Sequence, residues 1–400
     1  MAGRNVALSN LRAVVIIIVV AFHSSLAYLV SSPSIAAFNA PPFKWQAFPI
    51  VDNQRSMLLD IFCAWQDVSL MSLMFLLSGL FVPASVQRKG STAYAWSRIL
   101  RIGLPFLFAA GVLAPASYYP AYRVLEDAPS FSSFWSEWRS LPFWPAGPQW
   151  FLWQLLFVNL TGAAVYAVWP NSIRTCARLA ASVHPARLLA IIVLASVLTY
   201  VPLNLISSPW SWEAIGPFSL QISRSGHYMV YFLAGFVIGA HGLNRGLLAS
   251  DGFLARNWAY WLAAAIAAFF VWAGFTSFTL PDWSSASLLA RLGASFAFPI
   301  ACACGVFFAI GLFSRLAATI RSWVLDFLSA NAYSIYLFHY VFVVWLQYFL
   351  LSFDLPAITK AAIVFAVALM MSAATSNAIW RAATYLPVLG TSRMARSVSS

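Results

Sequence analysis

Apolar residues in this chain run in blocks of about twenty, parted by short polar stretches, a length that crosses the hydrocarbon core of a bilayer as a helix. Ten blocks are visible, near 11–30, 57–83, 99–119, 147–169, 188–206, 225–243, 258–276, 292–314, 327–352 and 359–380. Pro105 and Pro115 interrupt the third. Proline is tolerated within a span where neighbouring groups satisfy the freed backbone. The pattern predicts an all-α polytopic membrane helix bundle of about ten transmembrane helices. It forms a single domain over 1–390, followed by a short disordered cytoplasmic tail at 391–400. The first block is read as a retained anchor and not a cleaved signal peptide, because it is long and holds a histidine.

Composition strengthens this reading. Hydrophobic residues make up 62% of the 400 and charged residues 8%, with a mean hydropathy of +0.79. Soluble domains carry about 25% charged residues, so a soluble fold is excluded, as are disordered, coiled-coil, collagen and disulfide-scaffold classes. The four cysteines lie mostly in apolar runs and suit neither a disulfide framework nor a zinc site.

The net charge of +12 would point to nucleic acid in a soluble protein. Here it follows the positive-inside rule, and no nucleic-acid partner is expected. Arg4, Arg12, Arg88, Lys89, Arg98, Arg101, Arg178 and Arg187 fall on one side of the alternating blocks, with Arg245, Arg256, Arg315 and Arg321. Most acids fall on the other, including Asp52, Asp60, Glu126, Asp127, Glu137, Glu213, Asp282 and Asp354. The asymmetry predicts both termini in the cytoplasm. The outer loops near 31–56, 120–146 and 207–223 are rich in Pro, Trp, Tyr and Ser, which suits interfacial anchoring first and sugar faces second.

Ionisable groups inside spans are costly and mark candidate function. Arg12 and His23 are eleven residues apart, three turns plus about 20°, so they share a helix face with a rise of about 16 Å. Arg12 is expected at the cytoplasmic interface and His23 somewhat past the midplane. Histidine is the side chain best suited to proton exchange near neutral pH. Tyr333, Tyr336 and His339, with Tyr340 one step on, form a polar stripe on the ninth block, at a depth that would let His339 line one cavity with His23. Asp67 in the second block needs a buried histidine or arginine partner, and Ser78-Gly79 lies in that block's inner third. Arg98 and Arg101, at i and i+3, join Arg88 and Lys89 in a basic cluster that suits a phosphorylated ligand or anionic lipid head groups. Gln149, Trp150, Trp153 and Gln154 open the fourth block, and His227 beside Arg224 opens the sixth. No P-loop, HExxH, GxSxG or CxxC pair is present.

These pieces, in this order, resemble the acyltransferase type-3 family of bacterial integral-membrane O-acyltransferases. Arg12 and His23 match its R-x10-H pattern. Met74–Gly79 (MFLLSG), Ser97–Pro105 (SRILRIGLP), Gln149–Leu156 (QWFLWQLL), Tyr231–Gly239 (YFLAGFVIG) and Ser334–His339 (SIYLFH) resemble its other segments. The standalone form resembles glucan succinyltransferases and polysaccharide acetyltransferases. Two positions depart from the pattern: Asn10 stands where many members have Asp, and AIWRAATYLP lacks a glutamate found after the last span in many members.

The resemblance implies transfer of an acyl group, acetyl or succinyl, from a cytoplasmic acyl-CoA to a hydroxyl of an extracytoplasmic glycan or glycolipid. It implies a multi-pass protein of the bacterial cytoplasmic (inner) membrane, surrounded by lipid, with acyl-CoA as co-substrate and no bound cofactor or metal. On this reading His23 and Arg12 are catalytic. Arg98, Arg101, Arg88 and Ser78 bind the donor. Tyr336, His339, Asp67 and Trp150 serve the acceptor or a proton relay. Direct attack and an acyl-histidine relay both fit. A transporter or flippase, or a partner-binding membrane subunit, is the alternative that the residues alone leave open.

Overall fold

In hydrocarbon a backbone group has no water to bond, so apolar blocks close their hydrogen bonds within helices. The computed structural model describes residues 5–280 and 282–385, and the tail expected at 391–400 lies outside them. Nine helical segments among the described residues are long and apolar enough to cross a membrane. They are α1 (Val6–Ser25), α2 (Met57–Lys89), α3 (Ser91–Leu125), the segment Gly147–Val168, α7 (Pro185–Ser207), α10 (Trp258–Ser277), α11 (Leu288–Leu316), α12 (Trp323–Leu350) and α13 (Ala357–Tyr385). Within Gly147–Val168 the α-helical part is α5 (Trp150–Val168). A tenth is reached by counting α8 (Ile222–His241) with its continuation Gly246–Arg256, bent from it by 91° and ending in α9 (Phe253–Arg256). The first two turns of α8 carry Ser223, Arg224, Ser225 and His227, which lowers its hydropathy. The expected ten blocks are thus present, with boundaries moved by a few residues.

Shorter elements fill the connections. α4 (Phe131–Ser140) begins with a capping box at Ser130 and Ser133. Its Phe134 and Trp138 pack on Phe38, Tyr118 and Tyr122. α6 (Pro170–Ser182) follows α5. A hairpin of β1 (Trp212–Ile215) and β2 (Phe218–Gln221) turns at Gly216, whose φ of +55° suits a two-residue Gly-Pro loop. The sequence pattern predicts only an outer loop over 207–223, and the structure replaces part of it with this hairpin.

In α3, π-helical turns at Ile99–Gly103 and Ala109–Leu113 each end two residues before a proline. Proline has no N–H, so the carbonyls four or five residues back lose their donor and the turn widens. The Trp144 indole donates to the Ala110 carbonyl at 2.8 Å, and Trp345 donates to Ala116 at 2.9 Å. This is how the proline-broken block survives as a span.

Two helix pairs are held closely. A Cβ on Gly235 would strike the Leu76 carbonyl, one on Gly239 the Leu80 carbonyl, and one on Gly79 the Phe232 carbonyl. Small residues therefore bring the backbones of α2 and α8 into contact. α1 and α12 are joined by Ser9 Oγ to Ser329 Oγ at 3.0 Å, and by Gln347 Nε2 donating to the His23 carbonyl at 2.9 Å. A buried ion pair, Lys360 Nζ to Asp52 Oδ2 at 2.7 Å, ties the loop before α2 to α13. Asn10 is buried and donates through Nδ2 to the Ala317 and Ile320 carbonyls at 3.1 and 2.8 Å. A carboxylate has no proton to give there, which explains why an amide is suited to the position.

Candidate functional site: a histidine pair and an arginine cluster

α1 begins at Val6 and ends at Ser25, so His23 falls in its last turn. Two acceptors approach His23 Nδ1. The Val19 carbonyl lies at 2.8 Å and His339 Nε2 at 3.2 Å. The ring centroids of the two histidines are 5.0 Å apart. His339, fully buried on α12, has its Nδ1 at 2.6 Å from the Tyr336 carbonyl. A carbonyl only accepts, so the network assigns a proton to Nδ1 of each ring. His339 Nε2 then accepts from His23 Nδ1, and the lone pair of His23 lies on Nε2. The expected shared cavity is replaced by direct contact, with Phe22 and Tyr340 packed edge-on against His23. His23 itself is half-buried. The C-terminal end of a helix carries partial negative charge, which favours a positive charge developing on His23.

Tyr336 belongs to the same group. Its ring centroid is 5.6 Å from that of His339, and its hydroxyl donates to the Pro148 carbonyl. Gln149 Nε2 donates to the Leu337 carbonyl at 3.2 Å. These bonds seat the start of α5 against the histidine-bearing turn of α12.

A second constellation lies towards the other end of α1. The Arg12 guanidinium carbon stands 5.2 Å from the centre of the Phe81 ring on α2. One turn earlier, Ser78 Oγ accepts from Asn159 Nδ2 at 3.2 Å. Asn159 Oδ1 accepts from the Tyr94 hydroxyl at 2.5 Å, and Arg98 lies over the Tyr94 ring at 4.8 Å. Arg98 Nε is buried without a hydrogen-bond partner among the described residues. Lys89 feels the charges of Arg88, Arg98 and Arg101 together, so the four cations form one cluster. The π-helical turn between Arg98 and Arg101 breaks the single face expected for them: Arg98 is half-buried against Tyr94, whereas Arg101 and Arg88 are exposed.

Asp67 and Trp150 lie elsewhere. Both Asp67 oxygens accept from Arg224, at 2.8 and 2.6 Å, in a bidentate pair that supplies the arginine expected as partner. Asp67 is thereby committed to α8 and not to the histidines. Trp150 stacks on Tyr228 and meets Trp212 of the hairpin edge-on, with centroids 6.0 and 5.3 Å apart. Neither residue reaches the His23–His339 contact.

Asn159, Tyr94 and Gln347 are functional neighbours that the sequence does not single out. A lone amide in an apolar block was the visible signal for Asn159. Gln347 reveals itself only once α1 and α12 are side by side.

The family described as acyltransferase domain matches residues 5–377. The chain therefore belongs to the acyltransferase type-3 family of membrane acyltransferases. No curated protein and no solved structure matches it.

Proposed function

We propose that the chain transfers an acyl group, acetyl or succinyl, from a cytoplasmic acyl-CoA to a hydroxyl of an extracytoplasmic glycan or glycolipid. It works in the bacterial cytoplasmic membrane with both termini inside. The observation that carries this reading is the His23–His339 contact in the last turn of α1, which leaves His23 Nε2 with its lone pair.

In the reaction the acceptor oxygen bonds to the acyl carbon and the C–S bond of the thioester breaks. His23 Nε2 takes the hydroxyl proton and then returns it to the departing thiolate. Positioned acid–base groups of this kind contribute about 10²- to 10⁴-fold. The imidazolium formed in between is stabilised through Nδ1–H by His339 and Val19, and by the helix terminus. Arg98, Arg101 and Arg88 hold the phosphates of the donor, as clustered guanidinium groups do. Ser78, fixed through Asn159 and Tyr94, and Arg12 line its approach to α1. Tyr336 positions the turn that carries His339. Asp67 and Trp150 act as structural supports of α8 and the hairpin.

The test is transfer of a labelled acyl group from acyl-CoA in vesicles containing the full chain, with the glycan product read by mass spectrometry. The expected result is donor-dependent acylation that disappears in His23→Ala at normal protein level. Full acylation by that variant would refute the assignment.

A further inference from the structure

A separate polar cleft lies between α7, α8, α10 and α11, away from the histidine pair. Its lining includes Asn204, Trp210, Arg224, Trp272, Thr276 and Trp283. About 260 Å³ of space unfilled by protein atoms opens there, and the enclosed part is no larger than a water molecule or a hydroxyl group.

Four of these residues carry a buried polar atom without a partner among the described residues: Asn204 Oδ1, Arg224 Nε, Thr276 Oγ1 and Trp283 Nε1. They are 1%, 3%, 7% and 8% exposed. Leaving such groups unpaired in a buried setting is costly, so the arrangement calls for a ligand that satisfies them. The inventory is mixed. Arg224 Nε and Trp283 Nε1 only donate, Asn204 Oδ1 only accepts, and Thr276 does either. Asn204 Nδ2 is already committed to Ser295 Oγ at 2.8 Å. A hydroxyl both donates and accepts and meets this set, whereas a phosphate or carboxylate offers nothing to Asn204. Charge gives the same answer. Among the described lining residues Arg224 alone is charged, and Asp67 already neutralises it through both terminal nitrogens. At the rim Trp210 is 42% exposed, an aromatic face open to a ring.

We propose that this cleft is a sugar-binding site: a neutral pyranose unit inserts a hydroxyl among Asn204, Arg224, Thr276 and Trp283 and lays its apolar face on Trp210. It rests on the glycan reading for the origin of the ring, as a unit held apart from the one being acylated, but binding itself requires no acyl transfer.

The experiment measures saturation-transfer NMR of a methyl hexopyranoside series with the full chain in lipid nanodiscs and no donor. Wild type and His23→Ala are expected to bind one or more members saturably. Thr276→Val keeps shape and removes a hydroxyl, and Trp283→Phe removes the indole N–H together with one of its two rings. Each should weaken binding several-fold, and the double variant roughly tenfold. Size-exclusion profiles matching wild type show that the variants fold. Undiminished binding in the double variant would place the sugar elsewhere and overturn the proposal. No saturable binding by wild type would leave a resident water as the occupant and overturn it too. Stronger binding of glycerol phosphate than of any hexoside would make it a lipid head-group site instead. Loss of acylation in His23→Ala with hexoside binding retained separates this site from the reaction centre.

Discussion

Replacing His339 with alanine removes one of two acceptors from His23 Nδ1. In the resting protein the effect is small. The contact is a neutral hydrogen bond of 3.2 Å, and the Val19 carbonyl at 2.8 Å still fixes the tautomer. In the proposed reaction His23 becomes an imidazolium, and a hydrogen bond to a charged group is worth about 1.5–3 kcal/mol. The loss should therefore appear in kcat as roughly 10- to 150-fold. That is less than the 10²- to 10⁴-fold typical for removal of the base itself. Initial rates at saturating donor and acceptor, in vesicles matched for protein content, measure it. His339→Gln, whose side-chain oxygen can accept from Nδ1, should recover part of the loss. An unchanged kcat in His339→Ala would refute the pairing as a source of rate. A rate in His23→Ala well above that of His339→Ala would refute the assignment of the base to His23.

Arg98→Gln should raise the apparent KM for acyl-CoA with less effect on kcat, because the proposed function gives Arg98 the donor's phosphates and not its reacting carbon; donor titration measures this. Lys360→Met leaves Asp52 as an uncompensated buried charge and should cost about 3–5 kcal/mol. The Asp52→Leu/Lys360→Met double variant should recover much of that loss, as read by thermal aggregation in detergent. Gly235→Leu drives a side chain into the Leu76 carbonyl and should abolish monodisperse protein, whereas Gly111→Ala, which meets nothing within 4 Å, should leave the elution profile unchanged.

Much of the architecture is legible in the sequence because a bilayer imposes a single length scale on apolar blocks. All ten reappear as helices, and even the proline-broken block at 99–119 persists. The hairpin at 212–221 was missed because it is short, outside any span, and marked by little beyond Gly216-Pro217. The similar depths of His23 and His339 along their helices point to their belonging together. They do not show that the rings touch, since that depends on the rotation of one helix against another. The same limit explains Asp67: a buried carboxylate announces that a partner exists, and only packing reveals that the partner is Arg224 and not a histidine. Arg101 lies within a π-helical turn that begins just after Arg98, which standard helical spacing does not foresee.

The glycine contacts between α2 and α8 carry a consequence for motion. Two backbones in contact, further clamped by Asp67 and Arg224, leave no room to slide without collision, so they behave as one plank. α1 and α12, tied by Ser9–Ser329 and by Gln347, form another. On the proposed function, a long thioester reaching His23 passes along the joint between planks, where Arg12 faces the Phe81 ring. That joint is the natural hinge line of the enzyme.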